Sequence, residues 1–239
     1  MSKPHAKLRE ELGPGYELFI VALTTLSLVN IVILIGPFDT DTKQVAGIVD
    51  IYLSLFFLAD FLGRLYFAEP WQSYFFGRQG YLDLLGSLPF PVVRIFRVVR
   101  LYRSIQRVRS LGGRRIVRRL AMQRAQTALL FASFLVILIV EVGSILVVYA
   151  ERAAPDRNID TGGDALWWAI VSVATVGYGD KYPVTAAGRV IGVFMIIGGV
   201  GLFGVFTGYV ARVFLVPPTA ADVAAEARAT EAENALELE

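Results

Sequence analysis

Long apolar runs are the feature that most limits how this chain can fold. Three of them reach about 20 residues or more, the length that an α-helix needs to cross a hydrocarbon core of roughly 30 Å. They are 16–36, 127–150 and 190–216. A fourth run, 45–67, is as long but carries Asp50, Asp60 and Arg64. Because only helices and closed barrels span a bilayer, these runs predict an all-α membrane protein.

Two shorter segments add to these spans. The segment 80–90 is apolar, and the segment 92–110 has an arginine at nearly every third position. If six spans alternate in direction, most basic residues near their ends fall on one side, which the positive-inside rule assigns to the cytoplasm. We therefore expect a multi-pass protein of the cell membrane with both termini cytoplasmic, from an N-terminal segment at 1–15 to an Ala/Glu-rich tail at 217–239.

The composition excludes several kinds of chemistry. The chain has 239 residues, no cysteine and a single histidine, His5. Disulfide frameworks, zinc sites and catalysis by a thiol or an imidazole are therefore not expected. The sequence also has no nucleophile constellation, metal-binding motif or phosphate loop, so it predicts neither an enzyme nor a bound cofactor.

The segment 164–174, between the last two long spans, is apolar but gives only roughly 16 Å of helix, about half a membrane. It is followed by TVGYG at 175–179. Irregular backbone at this depth is tolerated only inside protein or beside a water-filled path. Gly177 and Gly179 permit backbone angles closed to other residues, so successive carbonyls can point in one direction. Carbonyl oxygens aligned in this way, at the negative end of a helix dipole, predict a pathway for a cation.

The sequence DALWWAIVSVATVGYGD at 164–180 strongly resembles the pore signature of potassium channels. The resemblance implies a re-entrant pore helix over 163–174 and a selectivity filter that binds K⁺ through backbone carbonyls alone. The filter residues would be Thr175, Val176, Gly177, Tyr178 and Gly179. Since one chain supplies only one wall of carbonyls, the resemblance also implies a homotetramer around the pore.

Residues beside the filter extend the resemblance. Paired tryptophans support the filter in this family, which implies that Trp167 contacts Asp180 and that Trp168 braces the ring of Tyr178. The alternative is a chance TVGYG in a loop between packed helices, with Tyr178 as an ordinary interfacial aromatic. A potassium uptake transporter also uses filter-like loops, but it usually strings four related repeats in one long chain, and this chain has one.

Regularly spaced arginines mark the segment 92–110. They are Arg94, Arg97, Arg100 and Arg103, with Arg107 continuing out of step. This spacing forms a spiral on an α-helix and a single row on a 3₁₀-helix. An arginine inside a bilayer costs about 2.5–3.5 kcal/mol on insertion scales and needs a partner. The acids that neighbouring spans offer are Asp50, Asp60 and Asp83.

Residues 16–109 resemble a voltage-sensor domain. Phe57-x-x-Asp60 in the second span, with Asp83 in the third, is similar to the charge-transfer centre of that family, an aromatic plug with two acids beneath it. The resemblance implies that the arginines pass Phe57 one at a time.

One alternative is a basic helix that binds nucleic acid or lies on the membrane surface, but it does not explain the apolar residues between the arginines. Another keeps Phe57 as a core or lipid-facing aromatic and Asp60 with Arg64 as a simple i, i+4 pair.

Together the resemblances predict a prokaryotic, six-span, homotetrameric, voltage-gated potassium channel. A four-helix voltage-sensor domain would occupy 16–110, with spans at about 16–36, 45–67, 80–90 and 92–110. A two-helix pore domain would occupy 127–216, with a span at 127–150, the pore helix at 163–174, the filter at 175–179 and a span at 187–216. Opening would be favoured by depolarisation. The nearest alternative is a potassium channel with a structural arginine helix that opens with lipid, protons or another ligand.

The segment 111–126 is predicted to be an amphipathic interfacial helix between the two domains. In the family such a linker presses on the pore-lining helix, and its arginines also suit an anchor to anionic lipid. Gly199 stands where relatives place a gating hinge. Four other glycines of the last span are alternatives, Gly198, Gly201, Gly204 and Gly208.

Overall fold

The computed structural model describes residues 14–66, 80–88, 90, 94–110, 116, 120 and 124–215. All regular structure in these ranges is helical and consists of seven α-helices, one 3₁₀ turn at 94–95 and the single helical residues 116 and 120. The helices are α1 Pro14–Ile35, α2 Thr40–Tyr66, α3 Gly80–Leu85, α4 Phe96–Ser110, α5 Arg124–Glu151, α6 Gly162–Val173 and α7 Ala186–Leu215. Almost all of the predicted N-terminal segment, most of the linker 111–126, the side chain of Arg107 and the tail 217–239 lie outside the described residues.

Four helices in the described part of the chain are long and apolar enough to cross a membrane. They are α1, α2, most of α5 and most of α7. The predicted spans 80–90 and 92–110 correspond to the shorter helices α3, with 6 residues, and α4, with 15 residues. The helix α3 ends at Leu85 in a turn in which the Gly86 N–H donates to the Leu82 carbonyl at 3.0 Å. Pro89 follows shortly afterwards and cannot continue a helix.

The start of α2 differs from the sequence prediction. The helix begins at Thr40, five residues before the predicted 45, because Asp39 caps it. The Asp39 carboxylate accepts hydrogen bonds from the Thr42 N–H at 3.0 Å and from the Thr42 hydroxyl at 2.8 Å. The cap satisfies one of the N–H groups that the first turn of a helix leaves without a partner.

The helices form two groups that pack against each other within one chain. In the first group α1 packs against α2 and α4, and α3 packs against α4. In the second group α5 packs against α6 and α7. The groups meet where α1 touches α5 and where α2 touches α5 and α6. Leu166 of α6 lies in one apolar cluster with Phe19 of α1 and Phe57 of α2, so the cores of the two groups are continuous.

The short helix α6 has defined ends. The Thr161 hydroxyl accepts a hydrogen bond from the Asp164 N–H, and the Asp164 carboxylate accepts one from the Thr161 N–H, both at 3.1 Å. This reciprocal capping box fixes the first residue of the helix at Gly162. A Cβ at Gly162 would collide with the backbone carbonyl of Asp41, so the start of α6 lies directly on the start of α2.

Candidate pore and arginine pathway

The sign of the backbone angle φ alternates from residue to residue directly after α6. Thr175, Gly177 and Gly179 have positive φ angles of 57°, 60° and 77°. The residues between them, Val176 and Tyr178, do not. Glycine adopts this conformation at little cost, and a threonine does so rarely. The alternation allows successive carbonyl groups to point to the same side of the chain, as the sequence predicts.

Contacts to the end of α6 anchor the first residues of this segment. The Val171 carbonyl accepts hydrogen bonds from the Val176 N–H at 3.0 Å and from the Gly177 N–H at 3.4 Å. All residues from Ala174 to Asp180 are exposed in the single chain, and the side chain of Tyr178 is 68% exposed. The whole segment is therefore solvent-exposed in the single chain.

One tryptophan makes both of the predicted side-chain contacts. The Trp167 indole N–H donates to the Asp180 carboxylate at 2.7 Å, as predicted. The same indole stacks on Tyr178, with ring centres 5.8 Å apart and planes 6° apart. Within one chain Tyr178 therefore stacks on Trp167, and the contact of Trp168 with Tyr178 stays a prediction for the assembled protein. Trp168 is buried against α5 and α7, because consecutive residues on a helix point about 100° apart.

Asn158 fixes the chain as it leaves this segment. Its side-chain amide donates to the Asp180 carbonyl at 3.3 Å and accepts from the Tyr182 N–H at 3.1 Å. The Lys181 ammonium donates to the Asn158 carbonyl at 2.6 Å and pairs with Asp164 at 3.1 Å. The exit of the segment is thus tied to the loop before α6. Sequence reasoning did not find Asn158, because asparagine is common in loops.

A buried carboxylate joins the ends of α5 and α7. The Glu151 carboxylate accepts hydrogen bonds from the Val184 N–H at 2.8 Å, the Thr185 N–H at 3.0 Å and the Thr185 hydroxyl at 2.6 Å. The Thr185 hydroxyl in turn accepts from the Gly188 N–H at 2.9 Å. Glu151 therefore fixes the turn that leads into α7. Sequence reasoning missed it, although an acid at the end of an apolar span is a signal.

Gly199 lies where α7 crosses the end of α6. A Cβ at this position would lie 2.8 Å from the backbone of Val173, the last residue of α6. The helix α7 continues through Gly199 from Ala186 to Leu215. The glycine allows a close approach of two backbones in this conformation, and its role as a hinge stays a prediction.

Arginines 94, 97, 100 and 103 each meet one of the three predicted acids. The pairs are Arg94 with Asp50 at 3.3 Å, Arg97 with Asp50, Arg100 with Asp60 at 2.7 Å and Arg103 with Asp83 at 3.1 Å. Arg94 lies in the 3₁₀ turn and the other three lie on α4, so the arginines spiral around the helix instead of forming a row. Acids on α2 and α3 follow this spiral.

Hydroxyl groups complete the environment of Arg97, which is fully buried. Its guanidinium donates to the Ser54 hydroxyl at 2.6 Å, the Gly86 carbonyl at 3.2 Å and the Ser27 hydroxyl. A buried ion pair is stable only when such additional hydrogen bonds satisfy its remaining donors. Sequence reasoning missed both serines. Ser54 stands four residues after Asp50, on the same face of α2, which was the available signal.

Phe57 is fully buried and lies against Arg100. The Arg100 guanidinium carbon is 4.3 Å from the centre of the Phe57 ring. One Arg100 nitrogen also donates to the Ser87 hydroxyl at 2.8 Å. A lipid-facing Phe57 is therefore excluded. The i, i+4 pair of Asp60 with Arg64 is present at 2.9 Å, so Asp60 serves both arginines at once.

An ion pair joins the two helix groups outside the spans. Arg152, just after α5, lies 3.0 Å from Asp39 and 4.6 Å above the Tyr149 ring. Burial raises the pKa of the Asp39 carboxyl. Hydrogen bonds from Thr42 and Arg152 outweigh burial and hold this pKa well below its ordinary value. Asp39 is thus ionised at neutral pH.

Among the residues that the structure describes, four helices are long and apolar enough to cross a membrane, and the half-length helix α6 precedes an irregular backbone. The arginines of α4 pair with acids on α2 and α3. Together these features define an integral membrane protein of the ion-channel class. The family described as ion transport protein matches residues 13–214, so the chain belongs to that family. Members of this family and the relatives below are channels, and the chain is not an enzyme.

The relatives that match the chain include prokaryotic and animal proteins. A voltage-gated potassium channel of Aeropyrum pernix is 38% identical over 79 residues, which is 33% of this chain and 27% of the relative. A potassium voltage-gated channel subfamily A member 2 of Oncorhynchus mykiss is 44% identical over 54 residues, 23% of this chain and 11% of the relative. A cyclic nucleotide-gated potassium channel of Mesorhizobium japonicum is 44% identical over 64 residues, 27% of this chain and 18% of the relative.

Proposed function

We propose that four copies of this chain form a voltage-gated, potassium-selective channel in the cell membrane, with both termini cytoplasmic. Potassium ions would flow passively down their gradient, and depolarisation would favour opening. The alternating sign of φ, which is positive at Thr175, Gly177 and Gly179, is the observation that carries the proposal. Relatives named as potassium channels support it.

Selectivity would come from the backbone of residues 175–179. Carbonyl oxygens from four chains would replace the hydration shell of K⁺, and the C-terminal end of α6 would add a favourable dipole. Trp167 supports this segment through its contacts with Asp180 and Tyr178. The apolar residues that α7 exposes in the single chain would line the pore or pack against neighbouring copies. Among them are Val193, Phe194, Ile197, Val200 and Phe203.

Voltage sensing would come from movement of α4 past Phe57. Arg94 and Arg97 share Asp50, Arg100 lies at the ring of Phe57, and Arg103 pairs with Asp83. Each step of the helix would move one guanidinium from one acid to the next. One charge crossing the field is worth about 2.3 kcal/mol per 100 mV, so three charges in each of four chains supply about 28 kcal/mol. That energy is ample to bias a gate.

Recordings from purified protein in a planar bilayer test both parts of the proposal. With potassium on one side and sodium on the other, we expect a reversal potential near that of potassium and a steep, sigmoid open probability against voltage. Gly177→Ala should abolish selective conduction, because its φ of 60° strains an alanine. Gly63→Ala is the matched control, since nothing lies within 4 Å of its added Cβ.

Two outcomes would contradict the proposal separately. Currents without preference for potassium, or normal selectivity in Gly177→Ala, would overturn the assignment of the filter. Potassium selectivity with an open probability that does not change with voltage would overturn voltage gating. It would favour a structural arginine helix and opening by lipid, protons or another ligand.

A further inference from the structure

The two carboxylate oxygens of Asp60 have different partners. Oδ1 accepts a hydrogen bond from the Tyr16 hydroxyl at 2.6 Å and one from the Arg64 guanidinium at 2.9 Å. Oδ2 accepts from Arg100 at 2.7 Å. The side chain of Asp60 is only 5% exposed, so these contacts are made away from bulk water. One oxygen thus faces a pair of donors from α1 and α2, and the other faces Arg100 of α4.

We propose that Tyr16 and Arg64 are positioning residues of the voltage sensor that shorten the time an arginine stays on Asp60. The inference rests on the proposed function. Tyr16 lies on α1 and Arg64 lies on α2, one turn from Asp60. Neither residue is on α4, so both belong to the fixed side of the arginine pathway.

Occupation of Oδ1 limits how strongly Asp60 holds a guanidinium. Arginine binds a carboxylate best through two parallel hydrogen bonds, one to each oxygen. Tyr16 and Arg64 already donate to Oδ1, so they compete with an arginine of α4 for this oxygen. They also withdraw negative charge from the carboxylate. The guanidinium of Arg100 accordingly divides its donors between Oδ2 of Asp60, the Ser87 hydroxyl and, at 3.4 Å, the Phe57 carbonyl.

The charge balance around Arg64 fits a positioning role. The Arg64 guanidinium lies 3.2 Å from the Glu17 carboxylate and 5.8 Å above the Tyr16 ring. Glu17 therefore offsets the charge of Arg64, and Asp60 still presents a net negative charge to α4. The network orients the receptor without removing its attraction for an arginine. A single acid without these donors would trap each arginine for longer.

Gating currents of the full tetrameric protein in a membrane test the inference. Tyr16→Phe removes the hydroxyl and keeps the ring, so Asp60 should hold arginines more tightly. We expect the charge to move about five- to tenfold more slowly, with the total charge per channel unchanged. Tyr52→Phe is the matched control, because Tyr52 lies on α2 with its side chain 68% exposed, and it should move charge at the rate of the unmodified chain.

A double variant separates positioning from simple stabilisation. If Tyr16 acts through Asp60, Tyr16→Phe should have no further effect on the rate in a chain that already carries Asp60→Asn. A slowing of the same size in both backgrounds would overturn the inference, and so would Tyr16→Phe with the unmodified rate. A lowered melting temperature with an unchanged rate would show a merely structural role. If the unmodified chain moves no charge at all, the proposed function itself fails.

Discussion

The guanidinium of Arg100 lies over the ring of Phe57, with 4.3 Å between the guanidinium carbon and the ring centre. Phe57 is fully buried, so this contact forms where water does not screen it. Arg94 and Arg97, which precede Arg100 in the sequence, share Asp50, and Arg103, which follows it, pairs with Asp83. The structure thus captures the third member of the arginine series 94, 97, 100 and 103 at the aromatic ring.

Substitution of Phe57 should shift the voltage midpoint in a direction that depends on the new side chain. A cation over an aromatic face gains about 0.5–2 kcal/mol, and tryptophan binds cations best. Phe57→Leu should therefore destabilise the state with Arg100 at this position, and Phe57→Trp should stabilise it. Conductance measured against voltage should show midpoints displaced in opposite directions. A shift in the same direction for both variants would mean that packing alone decides the effect.

Neutralising arginines of α4 should flatten the voltage dependence. Arg100→Gln and Arg103→Gln each remove a charge that we expect to cross the field, so the slope of conductance against voltage should fall. Selectivity for potassium should stay intact, because residues 175–179 are unchanged. Arg157→Gln is the control, since Arg157 pairs with Asp160 in the exposed loop between α5 and α6. An unchanged slope in both α4 variants would contradict the sensor.

An added methyl group at Gly199 should disturb the pore more than an added methyl group at Gly63. The Cβ of Gly199→Ala would lie 2.8 Å from the backbone of Val173, which cannot rotate away as a side chain can. We expect lower stability of the proposed tetramer and reduced conduction. Gly63→Ala has open space around its Cβ and should be neutral or stabilising by about 0.5–1 kcal/mol. Thermal dissociation of the tetramer in detergent measures both, and equal stability would contradict the close approach.

The contact of Asp39 with Arg152 should persist in moderately acidic solution. The folded-state pKa of Asp39 lies below its ordinary value, so its contribution to stability is present above that value, about pH 4. The contribution is lost as the pH falls towards the folded-state pKa. We expect the difference in melting temperature between the unmodified chain and Asp39→Asn to be constant from neutral pH to about pH 5 and to shrink below about pH 4. A difference that disappears above about pH 5 would contradict the lowered pKa.

The sequence was sufficient to predict the partners of the arginines, because charges inside apolar spans are rare and must find each other. Asp50, Asp60 and Asp83 were identified in this way, and each accepts at least one arginine. The half-length helix before TVGYG was equally predictable from its length. It occupies Gly162–Val173, one residue earlier than predicted.

Other contacts depend on how each helix is rotated, which an apolar span does not reveal. Ser27 and Tyr16 contact Asp50 and Asp60 from α1, but hydroxyl groups are common in membrane helices and most bond to their own backbone. That Tyr178 stacks on Trp167 within one chain was not predictable for the same reason. Adjacent tryptophans face different neighbours, and only packing decides which one meets the filter segment.

Two buried glutamates on α5 should respond in opposite ways to the same substitution. Within the described part of the chain, the Glu141 Oε2 atom and both amide atoms of Asn30 make no hydrogen bond of normal geometry, although the two side chains lie close enough to interact. An unsatisfied buried polar group costs about 1–3 kcal/mol, so Glu141→Leu, which removes it at similar volume, should stabilise the protein by a comparable amount. Glu151→Leu should destabilise it by at least as much, because the Glu151 carboxylate accepts three hydrogen bonds from Val184 and Thr185. Thermal unfolding of the two variants in the same detergent compares them directly, and a loss of stability in Glu141→Leu would show that Glu141 has a stabilising partner, in Asn30 or in another group.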